Sequence, residues 1–238
     1  MNWLSIISWI AIIIGILQAF IITIDVIRYP QKMMPIMNVV WPLIGLYFPL
    51  IGIVAYYKLG RANDRNHEID HGHQEDHDHD HHHDHHDHGD KPFWQSVFVS
   101  TTHCSGGCSL GDMIGAPIVF LLGLTIAGVT LFADYAVEFV LAYLFGIAFQ
   151  YYGMGFGHDH PGKALKDAIK ADTLSLICFE IGMFGWMAIV HYVLFPVSPP
   201  EANTAVYWFM MQLAMMLGFC TSYPANWFLV RKGVKHAM

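Results

Sequence analysis

The chain has 238 residues, 55% of them hydrophobic and 13% charged, with a formal net charge of −7 at neutral pH. Soluble domains carry roughly a quarter charged residues, so the composition excludes an ordinary soluble domain, and the lack of a basic patch or reading motif excludes nucleic-acid binding. The apolar residues gather into stretches of about twenty, enough to cross roughly 30 Å of hydrocarbon. They predict an all-α, polytopic membrane helical bundle of about six transmembrane helices, with an additional interfacial or re-entrant helix.

In chain order, the first span is expected from about Leu4 to Ile27. It lacks a cationic start and a small-residue cleavage site, so it reads as a retained span and not a signal peptide. A second span is expected from about Pro35 to Tyr57, followed by a polar loop to Pro92. The stretch Phe93–Phe132 is too long for one simple span and contains Gly106, Gly107 and Gly111. It predicts an interfacial or re-entrant helix from Phe93 to about His103, then a third span from about Leu110 to Phe132, kinked at Pro117. A fourth span is expected over about Tyr135–Phe156. A turn and a short amphipathic stretch with Lys163, Lys166 and Lys170 lead to a fifth span, about Asp172–Phe195. The sixth is about Thr204–Val230, and no internal repeat is visible.

This divides the chain into two N-terminal spans (1–57), a His/Asp-rich loop (58–92) and a four-span core (93–238). With six spans, ten of the twelve lysines and arginines fall on the side that holds both termini. That side is therefore expected to be cytoplasmic. The lipid bilayer is one partner, and a homo-oligomer is left open.

The loop from His67 to His88 alternates histidine with acid and holds eleven of the sixteen histidines, including His77, His79, His81 and His83. Imidazole is a ligand for zinc, copper and nickel, and carboxylate adds charge. Without a fixed spacing, the loop reads as a flexible metal-collecting tract, expected to be disordered without metal. A solvated charge-rich linker is the alternative.

Ionisable groups inside spans are costly and mark functional candidates. The sharpest cluster is His103, Cys104, Cys108 and Asp112; if helical, the last three recur at i, i+4 and i+8 on one face. Two thiols, an imidazole and a carboxylate suit zinc or copper(I). A packed turn with inert thiols is the alternative. So is a Cys104–Cys108 redox pair, which would need the glycines to break the helix, since i, i+4 lies at the long end of disulfide reach. In the fifth span, Glu180, Met183, Met187 and His191 share a face, either as packing or as a soft-metal track. Gln150, Met154 and His158 share a face of the fourth span, and Asp172 opens the fifth. Cys178 and Cys220 read as free, buried thiols, and Gln212 as a residue facing the bundle.

The strings TTHCSGGCSLGDMIG, KADTLSLICFEIGMFGWM and WFMMQLAMMLGFCTSYPANWFLVRKGVK resemble the bacterial membrane family catalogued as domain-of-unknown-function family 4396, over about Phe93–Met238. The resemblance implies a multi-span bacterial membrane protein and marks His103, Cys104, Cys108, Asp112, Asp172 and Glu180 as motif positions. It implies no activity.

The expected function is transport or handling of a transition-metal cation, zinc or copper. The loop would gather metal and the Cys/His/Asp cluster would bind it in the membrane. A membrane redox protein using Cys104 and Cys108, or a metal, haem or quinone, is the competing expectation, and an accessory membrane subunit a third. No ATP-binding motif is present.

Overall fold

The computed structural model describes residues 3–31, 34–61, 92–153, 161–233 and 235. Among the described residues there are helices and no strand: α1 (Trp3–Arg28), α2 (Met37–Tyr47), α3 (Ile51–Ala55), α4 (Phe93–Leu122), α5 (Thr130–Gly153), α6 (Pro161–Ile189) and α7 (Ala205–Arg231). Tyr56–Gly60 and Val190–Leu194 continue α3 and α6 as π-helical turns. Five helices are long and apolar enough to cross a membrane, within α1, α4, α5, α6 with its π turn, and α7. The chain is an integral membrane protein.

The packing follows membrane rules. In lipid the outer surface can be apolar, and small or polar residues turn inward. In α1, Ile6, Ile10, Ile13, Leu17 and Phe20 are exposed, while Ser8, Gly15, Gln18, Ala19, Ile22 and Val26 form the buried stripe.

The expected second span is not one helix. α2 ends at Tyr47, and Leu50 takes a left-handed φ of 66° before α3 begins. Pro49 supplies the cause: it has no N–H and disfavours helical geometry at Phe48 before it, where φ is −108° and ψ 76°. The break is satisfied from neighbouring helices. Gln18 Nε2 donates to Gly45 O and to Phe48 O, and Leu50 N donates to Gln18 Oε1. Gln212 Nε2, on α7, donates to Leu46 O at 2.7 Å.

The expected interfacial or re-entrant piece is likewise replaced. Phe93–Leu122 is one continuous 30-residue helix, closed at its C-terminus by Gly123 in the left-handed region (φ 61°). The glycines do not break it; they let α5 approach. A Cβ at Gly107 would lie 2.7 Å from Gly146 Cα, at Gly111 2.2 Å from Ala142 N, and at Gly115 2.8 Å from Glu138 Cγ. Gly107, Gly111 and Gly115 thus face Gly146, Ala142 and Glu138 in antiparallel register, a small-residue seam of the kind that draws membrane helices together. The α4–α5 contact is the most extensive in the molecule, α6–α7 is the next, and α4 also touches α2, α6 and α7. α4 is the axis of the bundle.

The remaining boundaries shift modestly. α5 begins at Thr130 instead of near Tyr135, and α6 begins at Pro161, which joins the lysine-bearing stretch to the fifth span in one helix. α1 and α2 pack on α7 and α4, so the first 57 residues share the core of the rest.

Two substitutions test this packing. Gly111→Ala drives a methyl into the α5 backbone and is expected to cost about 1–3 kcal/mol. Gly185→Ala, where nothing lies within 4 Å, is expected to be neutral or to stabilise by up to about 1 kcal/mol. Melting in detergent should separate them, and equal midpoints would remove the seam. Gln18→Leu leaves Gly45 O and Leu50 N–H at the α2–α3 break without their partner, while Phe48 O keeps the Gly52 N–H, and is expected to cost about 1–3 kcal/mol in the same assay.

Candidate functional site

α4 is unusual in being polar where it is most buried. Ser100, Thr101, Thr102, His103, Ser105, Ser109 and Asp112 are all fully buried, with Cys104 and Cys108 among them. Some hydroxyls are absorbed by the helix itself: Thr101 Oγ1 donates to Val97 O at 2.8 Å, and Ser105 Oγ to Thr102 O at 3.1 Å. Tyr47 of α2 donates to Ser105 Oγ at 3.1 Å. The ionisable groups are different. Neither ring nitrogen of His103 and neither carboxyl oxygen of Asp112 makes a hydrogen bond.

Two polar centres lie along α4. The first gathers carboxyls from three helices. Asp112 of α4 is within electrostatic reach of Glu138 of α5 and Glu180 of α6, and Glu138 of Glu180. All three are buried, and five of their six carboxyl oxygens have no hydrogen-bond partner. The seam explains the convergence, since Gly115 admits Glu138 against the α4 backbone. Three buried carboxyl groups within electrostatic reach of one another are costly to hold together as anions in a low dielectric.

The second centre lies toward the opposite end. Lys235 Nζ donates to Asp172 Oδ1 at 3.1 Å and to Asn226 Oδ1 at 2.9 Å, and Asn226 Nδ2 donates to Ser175 Oγ. His103 is within electrostatic reach of both Lys235 and Asp172. Burial opposes the Lys235 charge, but attraction from the acidic groups around it outweighs burial and holds its pKa above the ordinary lysine value. Cys108 sits between the centres, within hydrogen-bonding reach of Cys104 and electrostatic reach of Glu180 and Asp172.

A cavity of about 540 Å³ opens at the end that carries the α4–α5 and α6–α7 turns. Asp134, Met187, His191, Glu201 and Tyr207 line it. Asp134 lies one helical turn from Glu138 on α5, and the two interact electrostatically. Tyr207 lies within electrostatic reach of Glu138. The cavity therefore abuts the carboxyl centre.

The residues singled out from the sequence are mostly buried where expected, but they do not form one cage. His103 faces the lysine centre, Asp112 faces the carboxyl centre, and Cys104 and Cys108 lie between. Among the described residues, no three His, Cys, Asp or Glu side chains form a group able to hold a metal ion. The α6 stripe points inward: Glu180, Met183 and Met187 are buried, and His191 reaches the cavity. Met183 and Met187 belong to the apolar core, the packing alternative for them. Gln150 and Asp172 are buried. Cys220 is exposed and Cys178 half-buried, which corrects the expectation that both are buried; all four cysteines are free. His158 and the loop histidines His77, His79, His81 and His83 lie outside the described residues. Asp134, Tyr207, Asn226 and Lys235 were not singled out from the sequence. Lys235 offered no periodic signal, because it acts by folding back from beyond α7.

Residues 93–235 match the family described as Domain of unknown function (DUF4396). No curated protein and no solved structure matches the chain.

The unbroken helix makes a prediction about the thiols. With Gly106 and Gly107 helical, Cys104 and Cys108 stay at the long end of disulfide reach. After oxidant treatment, denaturation and alkylation, mass spectrometry is expected to find both thiols alkylated. A 104–108 disulfide in most molecules would show that α4 unwinds there.

Proposed function

The chain belongs to the DUF4396 family, and from the geometry of its core we propose that it carries a cation across the membrane in exchange for protons. The observation that carries this reading is the convergence of Asp112, Glu138 and Glu180 from three helices, buried and largely without hydrogen-bond partners. Such a centre alternates between protons and a cation, since either neutralises it. Ionisable residues facing a bundle interior commonly mark ion pathways and proton relays.

The cavity beside Asp134 and Tyr207 is the access on one side. In this reading the broken α2–α3 segment completes a sixth crossing, both termini and the histidine-rich loop are cytoplasmic, and the membrane is the bacterial inner membrane. The loop composition selects a transition metal, zinc or copper(I), as cargo. The metal would pass between successive donors, Cys104 and Cys108 included, instead of resting in a four-ligand cage.

The redox alternative draws on the contact between Cys104 and Cys108. It requires a disulfide that a regular helix strains, or a cofactor held elsewhere, so the carrier reading accounts for more of the buried charge.

The test is flux in proteoliposomes with a metal-sensitive dye inside and an imposed pH gradient. Zinc or copper(I) uptake is expected to rise when the lumen is acidified, and to fall on the order of tenfold or more in Asp112→Asn and Glu180→Gln. Apparent cation affinity is expected to weaken as pH falls, because protons compete for the same oxygens. Gradient-independent flux, or wild-type flux in both variants, would overturn the proposal.

A further inference from the structure

Beyond α7, Gly233 takes a left-handed φ of 67° and the chain turns back on the bundle, with Lys235 N donating to Leu229 O at 3.3 Å. The turn delivers a lysine side chain into the protein: the side chains of Lys235 and Asp172 are 0% and 1% exposed. Its ammonium meets Asp172 Oδ1 and Asn226 Oδ1, both oxygen acceptors. Asn226 is held by two donations of its own amide, to Ser222 O at 3.1 Å and to Ser175 Oγ. That fixes which way the amide points and presents its oxygen to the ammonium. Asp172 comes from the start of the membrane part of α6, Asn226 from the end of α7. Asp172 Oδ2 and both nitrogens of His103 remain without hydrogen bonds beside the pair. The pocket thus has more acceptors than the lysine uses.

We infer that Asp172 and Asn226 form a buried binding site for a small cation of the ammonium class, and that Lys235 is its tethered occupant, a removable plug at the end of the bundle opposite the cavity. The site rests on its own hydrogen bonds and stands whether or not the chain carries a metal. The ammonium differs from a free cation in its covalent tether, so the same oxygens will take a free ammonium ion once the tether is cut. His103 and the two thiols lie immediately behind the plug, between it and the carboxyl centre. Withdrawal of Lys235 would therefore uncover a negative site at the head of that line.

The first experiment is chemical rescue of the full chain in detergent. Lys235→Ala is expected to lower the melting midpoint by on the order of 5–10 °C. Ammonium chloride should restore part of that shift with saturation, while tetramethylammonium chloride, too large for the pocket, should not. In Lys235→Ala/Asp172→Asn, ammonium should have no effect. Equal responses to the two salts, or the same saturable response in the double variant, would overturn the inference. The second experiment does not depend on the alanine variant folding. Acylation of the Lys235 amine by an N-hydroxysuccinimide ester, followed by peptide mass mapping, is expected to be slow in wild type and on the order of tenfold faster or more in Asp172→Asn. Equal rates would show that Lys235 is not held by this site. Because both readouts are binding and accessibility, a failed flux assay leaves them unaffected.

Discussion

Hydrocarbon offers no hydrogen bonds, so every polar group in the membrane must find its partner inside the protein. The backbone of this chain obeys that constraint even where its helices fail. The α2–α3 break exposes carbonyls and an N–H, and Gln18 and Gln212 reach in from α1 and α7 to meet them. Gln31 Nε2 does the same for Gly60 O at the end of the following π turn. The hydroxyls of Thr101 and Ser105 on α4 fold back on their own helix. Side chains are met less completely. The hydroxyls of Ser100, Thr102 and Ser109 and both nitrogens of His103 lack partners along α4, and most of the unpartnered carboxyl oxygens among the described residues belong to Asp112, Glu138 and Glu180.

The seam between α4 and α5 is what makes this concentration geometrically available. Helices bearing ordinary side chains at the contact pack with their axes about 8–10 Å apart. Glycines at 107, 111 and 115 let the α5 backbone come nearer, and the residues next to the seam are brought near with it. Asp112 adjoins Gly111, and Glu138 packs on Gly115. Close packing and charge placement are therefore one feature. The dispersion gained along a well-fitted helix pair offsets part of the cost of confining acids in a low dielectric. Changes to the seam would alter the electrostatics of the centre as well as the stability of the bundle.

Much of this architecture was legible in the sequence, and the failures have specific causes. Span length and apolar content located α1, α7 and the membrane part of α6 within a residue or two, and the start of α5 within five, because hydrocarbon thickness fixes the length. The run from Pro35 to Tyr57 had the right length too, but Pro49 inside it carried a break that hydropathy alone does not see. Gly106-Gly107 was misread in the opposite direction. In water, glycine weakens a helix; in a membrane interior it permits contact with a neighbour, and only the partner helix reveals which rule applies. Burial of His103, Cys104, Cys108 and Asp112 was legible from their place in an apolar segment. Their division between two centres was not, since it depends on which helix lies opposite each turn of α4. Glu138 and Asp172 could be seen as intramembrane acids, whereas Lys235 could not be connected to Asp172 from 63 positions away.

The two ends of the bundle are asymmetric in a way that bears on mechanism. At one end a cavity edged by Asp134, Glu201 and His191 reaches the level of Glu138. At the other, the pocket around Asp172 is already filled by an ammonium. A buried ion pair is a poor way to gain stability, because desolvation consumes most of the attraction and apolar side chains of similar volume do as well or better. Stability alone therefore does not call for a charged plug at this position. An exchangeable occupant does call for one: a cation reaching Asp172 along the line of His103, Cys104 and Cys108 must meet an equal charge already in place, and only one of the two can stay. In the proposed reading, the described conformation is open toward the carboxyls and shut at the lysine. Opening the lysine end requires rotation about the backbone at Gly233 and loss of three hydrogen bonds, two from the ammonium and one from the Lys235 N–H, a local change that leaves the α4–α5 seam untouched.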